Sequence, residues 1–289
     1  MEWKTDWGLR GRMAFTMFLL FALYVVFVGV LTLYFQNFLF PMIMLGAFSI
    51  AQYFFSDKLA LRSMGAKAVT PEEYPDLHRR MDRLSQQADI PKPTVAVADT
   101  QVPNAFATGR NKKNATVAVT TGLLRALDED ELDAVLAHEL AHVKNRDVMV
   151  MTIASFLSTI AFFIVRWGWL LGGNNRQGAP VIVAIIASLV VWVISFLLIR
   201  ALSRYREYAA DRGAALITGR PGALASALMT IDGRMDRVPK EDLREEAEMN
   251  AFFIIPIKAG FVGKLASTHP PTESRIERLR DLEKEMATA

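Results

Sequence analysis

Two histidines and a glutamate in the pentapeptide HELAH, residues 138–142, have the types and spacing that could do chemistry. His138 and His142 are four residues apart, so on a helix they project from one face about one turn apart. Their ring nitrogens can then meet one zinc ion at ~2.0–2.1 Å. Glu139 lies beside them, where its carboxylate can take a proton from water at the metal and pass it to a leaving amine. This HExxH pattern predicts a zinc site with Glu139 as general base; the alternative is a chance pair of histidines on a surface helix.

A catalytic zinc site needs a third protein ligand, because such sites usually hold the metal with three side chains and leave a fourth position open. No histidine follows closely enough to extend the motif, and the chain has no cysteine, which also excludes disulfides. Glu207 is the candidate, because it lies as near the end of one apolar run as His142 lies to the start of another. Asp211, one helical turn further on, is placed to accept a proton from a ligand histidine and fix its tautomer. Both acids could instead pair with neighbouring arginines on a solvated helix.

Two segments with the mixed composition of a folded domain, residues 57–147 and 201–289, must position these side chains. In the first segment, Thr70 with Glu73 three residues later has the pattern of a capping box and predicts the start of a helix. This helix should run to about Ala88, because two prolines follow closely.

The chain between that helix and the histidines predicts a small β-sheet. Residues 94–98 and 116–120 alternate like short strands, and the asparagines and glycine between them favour a turn or hairpin that connects the two. Asp128 and Glu131 then form the capping-box pattern that begins the histidine helix. A final helix is expected from about Thr272 onward.

Uncharged apolar runs dominate the rest of the chain, which is 52% hydrophobic and 22% charged. Residues 13–56 carry no formal charge and, at ~1.5 Å per helical residue, reach roughly twice the ~30 Å hydrocarbon core. They predict two spans, with a break near residues 36–41, where Gln36, Asn37 and Pro41 interrupt the run. Residues 148–165 and 177–199 predict two more. We therefore expect a mainly α integral membrane protein with four transmembrane helices; buried helices of a soluble protein are the alternative.

The chain is therefore expected to alternate between membrane segments, residues 1–56 and 148–200, and polar segments, residues 57–147 and 201–289. Lysines and arginines cluster on one side of the spans, as cytoplasmic residues do, and only Arg166 and Arg176 lie on the other side. Both termini and both polar segments are thus expected in the cytoplasm, and the first span is expected to be an uncleaved anchor. The cations are interleaved with acids, so no nucleic-acid partner is expected.

Four further segments carry a family resemblance: PNAFATG at 103–109, VTTGLL at 119–124, REYAAD at 206–211 and STHPP at 267–271. Together with HELAH, they make nearly the whole chain resemble the HtpX family of bacterial and archaeal membrane zinc metalloproteases. That family is related to the type I CAAX prenyl endopeptidases. The resemblance implies a zincin-like domain at the cytoplasmic face of a prokaryotic cell membrane, with one zinc ion per chain and Glu207 as the third ligand.

The resemblance also implies two further roles. One segment would form an edge strand on which an extended substrate peptide lies, although an ordinary hairpin loop is the alternative; it consists of Asn104, Ala105, Phe106, Ala107, Thr108 and Gly109. His269, and after it Arg275, would reach the zinc site, where His269 would donate a hydrogen bond to the oxyanion. A histidine before two prolines is otherwise a turn residue. The short apolar stretch 251–257 is expected to pack in the core, with membrane dipping or substrate capture as alternatives.

The expected function is a membrane-embedded zinc endopeptidase that cuts misfolded or damaged membrane proteins at the cytoplasmic face, in quality control and stress response. A dedicated CAAX-type processing protease is one alternative, but resemblance to that group would imply a larger membrane chamber with more helices. A non-catalytic zinc scaffold is another, but structural zinc normally has four protein ligands, and no cysteine is present to complete the set. No pattern in the sequence specifies the natural substrate or the oligomeric state.

Overall fold

The computed structural model of the chain describes residues 6–34, 39–171, 178–235 and 269–288. The chain divides into two compact units. One unit contains Phe55–Met149 and the described part of Arg206–Ala289, and the other contains the described parts of Asp6–Phe54 and Val150–Tyr205. The predicted apolar packing of residues 251–257 lies outside the described residues.

The described elements are, in chain order, α1 (Trp7–Tyr34), α2 (Leu39–Ser63), β1 (Ala66–Ala68), α3 (Pro75–Ala88), β2 (Thr94–Ala98), β3 (Ala105–Gly109), a 3-10 turn (Lys112–Asn114), β4 (Ala115–Thr120), α4 (Thr121–Ala126), α5 (Glu129–Asn145), α6 (Asp147–Leu171), α7 (Gly178–Thr218), α8 (Pro221–Met235) and α9 (Thr272–Ala287).

By length and composition, two described helical segments are suited to crossing a membrane: Trp7–Thr32 in α1 and Ile182–Thr218 in α7. A third is added if the two halves of α6, which meet at a 41° bend, count as one span. Large apolar side chains such as Phe18 and Ile186 are exposed on these helices, as contact with lipid would require. Gln36 and Asn37, which belong to the expected break after the first span, lie outside the described residues. Pro41 lies in the first turn of α2, where proline is tolerated.

Buried side chains from α1, α6 and α7 form a core in the apolar unit, including Phe27, Ile160 and Val191. The Tyr24 hydroxyl of α1 donates a hydrogen bond to the backbone oxygen of Ala154 in α6, at 2.7 Å. Such bonds stabilise helix association where apolar packing against lipid provides little driving force.

A four-stranded mixed sheet, in the order β1-β2-β4-β3, lies in the other unit. The two predicted strands are confirmed as β2 and β4, but a hairpin connecting them is wrong, because they run parallel. Parallel neighbours cannot be joined by a tight turn. The chain between them instead forms β3, which is the antiparallel hairpin partner of β4 and the edge of the sheet.

Helix α3 begins at Pro75, four residues later than the start at Pro71 that the capping pattern at Thr70 predicts. The expected contact is present, since the Thr70 backbone N–H donates to Glu73 Oε2 at 2.8 Å. It stabilises a turn rather than a helix, because a residue before proline is driven out of the α region, and Tyr74 has φ −134°.

Helix α5 begins as predicted, with the complete capping box between Asp128 and Glu131. It ends at Asn145, where Arg146 takes the left-handed conformation with φ 58°, and α6 begins at the next residue. The middle of α5 is fully buried, including Leu136 and Leu140. The helix that carries the two histidines is therefore fixed on several sides by the core.

We expect Gly109→Ala to destabilise the protein strongly. Gly109 has φ +118°, and a Cβ atom there would lie 2.1 Å from the backbone oxygen of Asn114. Strain and steric overlap together should cost on the order of 3 kcal/mol. Thermal unfolding of detergent-solubilised protein measures this loss. Gly233→Ala is the matched control, because its Cβ would meet nothing within 4 Å; equal midpoints for the two variants would contradict the expectation.

Candidate metal centre

Three side chains converge on one point: His138 and His142 from α5 and Glu207 from α7. The two histidine Nε2 atoms are 3.1 Å apart. Glu207 Oε2 lies 3.6 Å from His138 Nε2, and Glu207 Oε1 lies 3.5 Å from His142 Nε2. Ligands ~2.0–2.1 Å from a tetrahedral ion are ~3.3–3.4 Å from one another. The three spacings therefore fit a single metal ion.

Behind His138 lies a buried acid and, behind that, a buried arginine. His138 Nδ1 is 3.1 Å from Asp211 Oδ1. Arg275, on α9, donates two hydrogen bonds to Asp211, from Nε at 2.9 Å and from Nη2 at 2.6 Å. Burial by itself would lower the pKa of Arg275, but the Asp211 charge keeps it above its ordinary value. Asp211 thus lies where a tautomer-fixing residue belongs, and its role stays a prediction.

His142 has a second acid behind it that the sequence analysis missed. Its Nδ1 lies 2.5 Å from Asp147 Oδ2, and Asp147 Oδ1 lies 2.9 Å from Arg206 Nε. The available signal in the sequence was an acid at the very start of a long uncharged run.

Glu207 and Asp211 are 6% and 4% exposed, so the alternative of a solvated helix with surface ion pairs is wrong. Around the histidines, Glu139 and Asp147 are buried as well, whereas the buried arginines are Arg206 and Arg275. Once His138 is neutral, as a metal ligand must be, the four carboxylates carry two more charges than these two guanidinium groups balance. Burying such charges is costly. A divalent cation would neutralise them, and the donor set fits one.

The surroundings of His138 favour its protonated form. Burial would lower the pKa of His138, but hydrogen bonds with Asp211 and Glu207 raise it to about 9. A ligand histidine must be neutral, so metal binding at neutral pH is coupled to release of this proton.

Glu139 is buried beside the two histidines and next to the edge of the sheet. Burial raises its pKa above the ordinary value, whereas the charges of His138 and His142 and a hydrogen bond from the Ala107 backbone act to lower it. Ala107 lies on β3. The carboxylate expected to act as a base is therefore in contact with the strand expected to receive the substrate.

His269 reaches the same centre, where its Nδ1 lies 3.1 Å from Glu207 Oε2. Arg275 also approaches this oxygen, with Nη1 at 3.6 Å. Arg275 was expected at the site with less weight than His269. It is nevertheless the more buried of the two and contacts two acids of the site. Because Arg275 lies far along the chain from both acids, the sequence gave no signal of these contacts.

The segment that runs from Asn104 to Gly109 is an edge strand and its lead-in, not an ordinary hairpin loop. Asn104, Ala105, Phe106 and Thr108 are buried, so their side chains hold the strand in place. The Asn104 backbone N–H donates to Thr120 Oγ1 at 2.9 Å. Contact between this strand and a substrate remains a prediction, and it would involve the backbone more than the side chains.

Comparisons with known proteins identify the family of this chain. The family model described as peptidase family M48 matches residues 71–283. The chain belongs to this family. Similar proteins include protease HtpX homolog 2 of Methanosarcina mazei, 55% identical over 291 residues and 99% of both chains. Protease HtpX homolog of Moorella thermoacetica is 53% identical and covers 98% of this chain, which covers 97% of that protein.

The resemblance to the HtpX proteases and the expectation of a membrane metalloprotease are therefore confirmed. The M48 family assignment implies a bound metal. Among solved structures, the crystal structure of S. mikatae Ste24p matches 89% of this M48 peptidase and 62% of its own chain, with a TM-score of 0.56. The two sequences are 18% identical. At that identity the likeness concerns the fold, and it agrees with the expected relation to the CAAX endopeptidases.

We expect Arg275→Met to destabilise the protein by ~3–5 kcal/mol, because Asp211 and Glu207 would keep buried charges without their partner. The loss should appear in the thermal unfolding midpoint, together with reduced retention of metal after dialysis. Lys284→Met is the control, since Lys284 pairs with Asp281 at 3.0 Å on the surface. A midpoint for Arg275→Met as high as that of the control would rule out this account of Arg275.

Proposed function

We propose that this M48 peptidase is a zinc-dependent endopeptidase, with His138, His142 and Glu207 as ligands and Glu139 as the general base. The observation that carries the proposal is the convergence of the two histidine Nε2 atoms, 3.1 Å apart, with the Glu207 carboxylate, whose two oxygens lie 3.5 and 3.6 Å from them. A buried carboxylate, Glu139, lies directly beside them. A structural zinc site would leave Glu139 without a task, whereas hydrolysis requires a base at this position.

When bound, zinc supplies a Lewis acid that polarises the scissile carbonyl and lowers the pKa of water at the site. Glu139 takes a proton from the attacking water, and the water oxygen bonds to the carbonyl carbon. Glu139 then gives the proton to the leaving amine as the C–N bond breaks. Its raised pKa makes the carboxylate a better proton acceptor than an ordinary glutamate. His269 donates a hydrogen bond to the oxyanion.

The substrate lies as an extended peptide along β3 and adds a strand to the sheet. Two observations support this proposal: β3 is an edge strand, and the backbone of its central residue, Ala107, is hydrogen-bonded to Glu139. Backbone pairing would align the scissile bond with the base without demanding a particular side chain. A broad substrate range follows.

Four transmembrane helices, α1, α2, α6 and α7, carry the enzyme in the cell membrane of a prokaryote. The contact between His142 and Glu207 supports an even number of crossings between them, so α6 crosses if α7 does. The bias of lysine and arginine supports cytoplasmic termini and a cytoplasmic site. In this topology residues 1–56 and 148–200 form the membrane segments, and residues 57–147 and 201–289 form the catalytic domain.

The substrates are misfolded or damaged membrane proteins, and the enzyme serves quality control and the stress response. Its relatives named protease HtpX, which match along their whole length, support this choice. The fold shared with Ste24p favours processing of a prenylated peptide as the second candidate. Assays of an unfolded membrane protein and a farnesylated peptide side by side separate the two.

The decisive variant is Glu139→Gln, which keeps the shape of the side chain and removes the base. Wild type should cleave a partly unfolded membrane protein in detergent, whereas the variant should lose at least ~100-fold in turnover. Both proteins should retain one zinc ion, measured by elemental analysis. Equal cleavage by the two would mean a different mechanism or a contaminating protease.

His269→Ala should lower turnover by ~10–1,000-fold, because one oxyanion donor is lost. Bound zinc and KM should change little, since His269 is not proposed as a ligand. Steady-state kinetics together with zinc content give both quantities. An unchanged turnover number would remove His269 from the mechanism, and a loss of zinc would assign it a place among the metal-holding residues instead.

A further inference from the structure

Each histidine of the centre has one ring nitrogen facing the other candidate ligands and the second ring nitrogen facing a carboxylate behind it. For His142 the first nitrogen is Nε2, 3.5 Å from Glu207 Oε1, and the second is Nδ1, 2.5 Å from Asp147 Oδ2. The contact with Asp147 is the shorter of the two acid contacts behind the histidines, since His138 Nδ1 is 3.1 Å from Asp211. His142 therefore has an acid partner of its own.

Asp147 has both carboxylate oxygens engaged. Oδ2 faces His142, and Oδ1 lies 2.9 Å from Arg206 Nε. The Asp147 side chain is 3% exposed and that of Arg206 is 10% exposed, so little water screens the pair. A buried carboxylate is stable as an anion only with such a partner. Arg206 thus keeps Asp147 charged and fixes the direction of its carboxylate.

The contact depends on the interruption between α5 and α6. In a continuous α-helix a residue five positions after His142 would point about 140° away from it around the helix axis. Arg146 prevents this, because its left-handed conformation, φ 58°, ends α5 and turns the chain within one residue. Residues other than glycine rarely adopt this conformation, because the Cβ atom crowds the backbone. The strained junction brings Asp147 back onto His142.

We propose that Asp147, held by Arg206, is a positioning residue for His142. It accepts a hydrogen bond from Nδ1–H and so fixes the tautomer in which Nε2 is free to bind metal. This inference rests on the proposed role of His142 as a zinc ligand. His142 would then be oriented in the same way as His138, since each histidine has an acid behind it and an arginine behind that acid.

Zinc affinity of the full-length protein, measured by competition with a chelator, tests the inference without relying on activity. Asp147→Asn should weaken zinc binding by ~10–100-fold, the usual effect of losing such a partner. Cobalt in place of zinc should show a shifted visible spectrum, because the His142 ring is no longer held. Asp133→Asn is the matched control, since Asp133 lies on α5, pairs with Arg80 at 2.9 Å and belongs to no ligand contact. It should leave affinity and spectrum unchanged.

Arg206 provides the second arm. Arg206→Gln should weaken zinc binding as Asp147→Asn does, Arg206→Lys should restore most of the affinity, and the double variant should be little worse than either single one. Additive losses would overturn the idea that Arg206 acts through Asp147. If Asp147→Asn fails to fold, judged by its unfolding midpoint against Asp133→Asn, the Arg206 variants decide the question by the same criteria.

Failure of the inference and failure of the proposed function give different results. The positioning role alone would be overturned if wild type binds zinc tightly, His142→Ala loses binding, and Asp147→Asn keeps wild-type affinity and spectrum. Zinc binding unaffected by His142→Ala would overturn the ligand assignment and, with it, the basis of the inference.

Discussion

The removal of four carboxylates from water, around two histidines, is the constraint that organises this enzyme. A buried negative charge requires a positive partner at hydrogen-bonding distance. The chain supplies Arg275 for Asp211 and Arg206 for Asp147. These pairs tie the centre to α9 and to the starting point of α6. The negative charge that these arginines leave unbalanced is the charge that a divalent cation at the centre would neutralise.

The arrangement of the side chains in HELAH was predictable because its geometry is local. Two histidines and a glutamate within one helical turn and a quarter need only the helix to come into position, and the Asp128 capping box identifies where that helix begins. Glu207 and Asp211 followed from their distance to an apolar run and from the family resemblance. Two strands of the small sheet, β2 and β4, were predictable, but the strand order was not. The chain between them forms β3, which pairs antiparallel with β4, whereas β2 runs parallel to β4.

The contacts that were missed depend on non-local or exceptional geometry. Asp147 contacts His142 only because Arg146 adopts a backbone conformation that arginine rarely takes. Arg275 is distant in sequence from every residue that it contacts in the site. The late start of α3 has a local cause, since Pro75 excludes helix from the residue before it. Periodicity and capping patterns carry no information on the first two of these features.

Glu207 lies on α7 beyond the apolar part of that helix and after all of α6, whereas the two histidines precede both helices. During synthesis the histidines are therefore made first, and the nascent chain has no Glu207, the proposed third ligand, until α6 and the apolar part of α7 have been translated. In the proposed topology, insertion of only one of the two would leave Glu207 on the opposite side of the bilayer from the histidines. In that topology, the three side chains can meet only after both helices have been inserted.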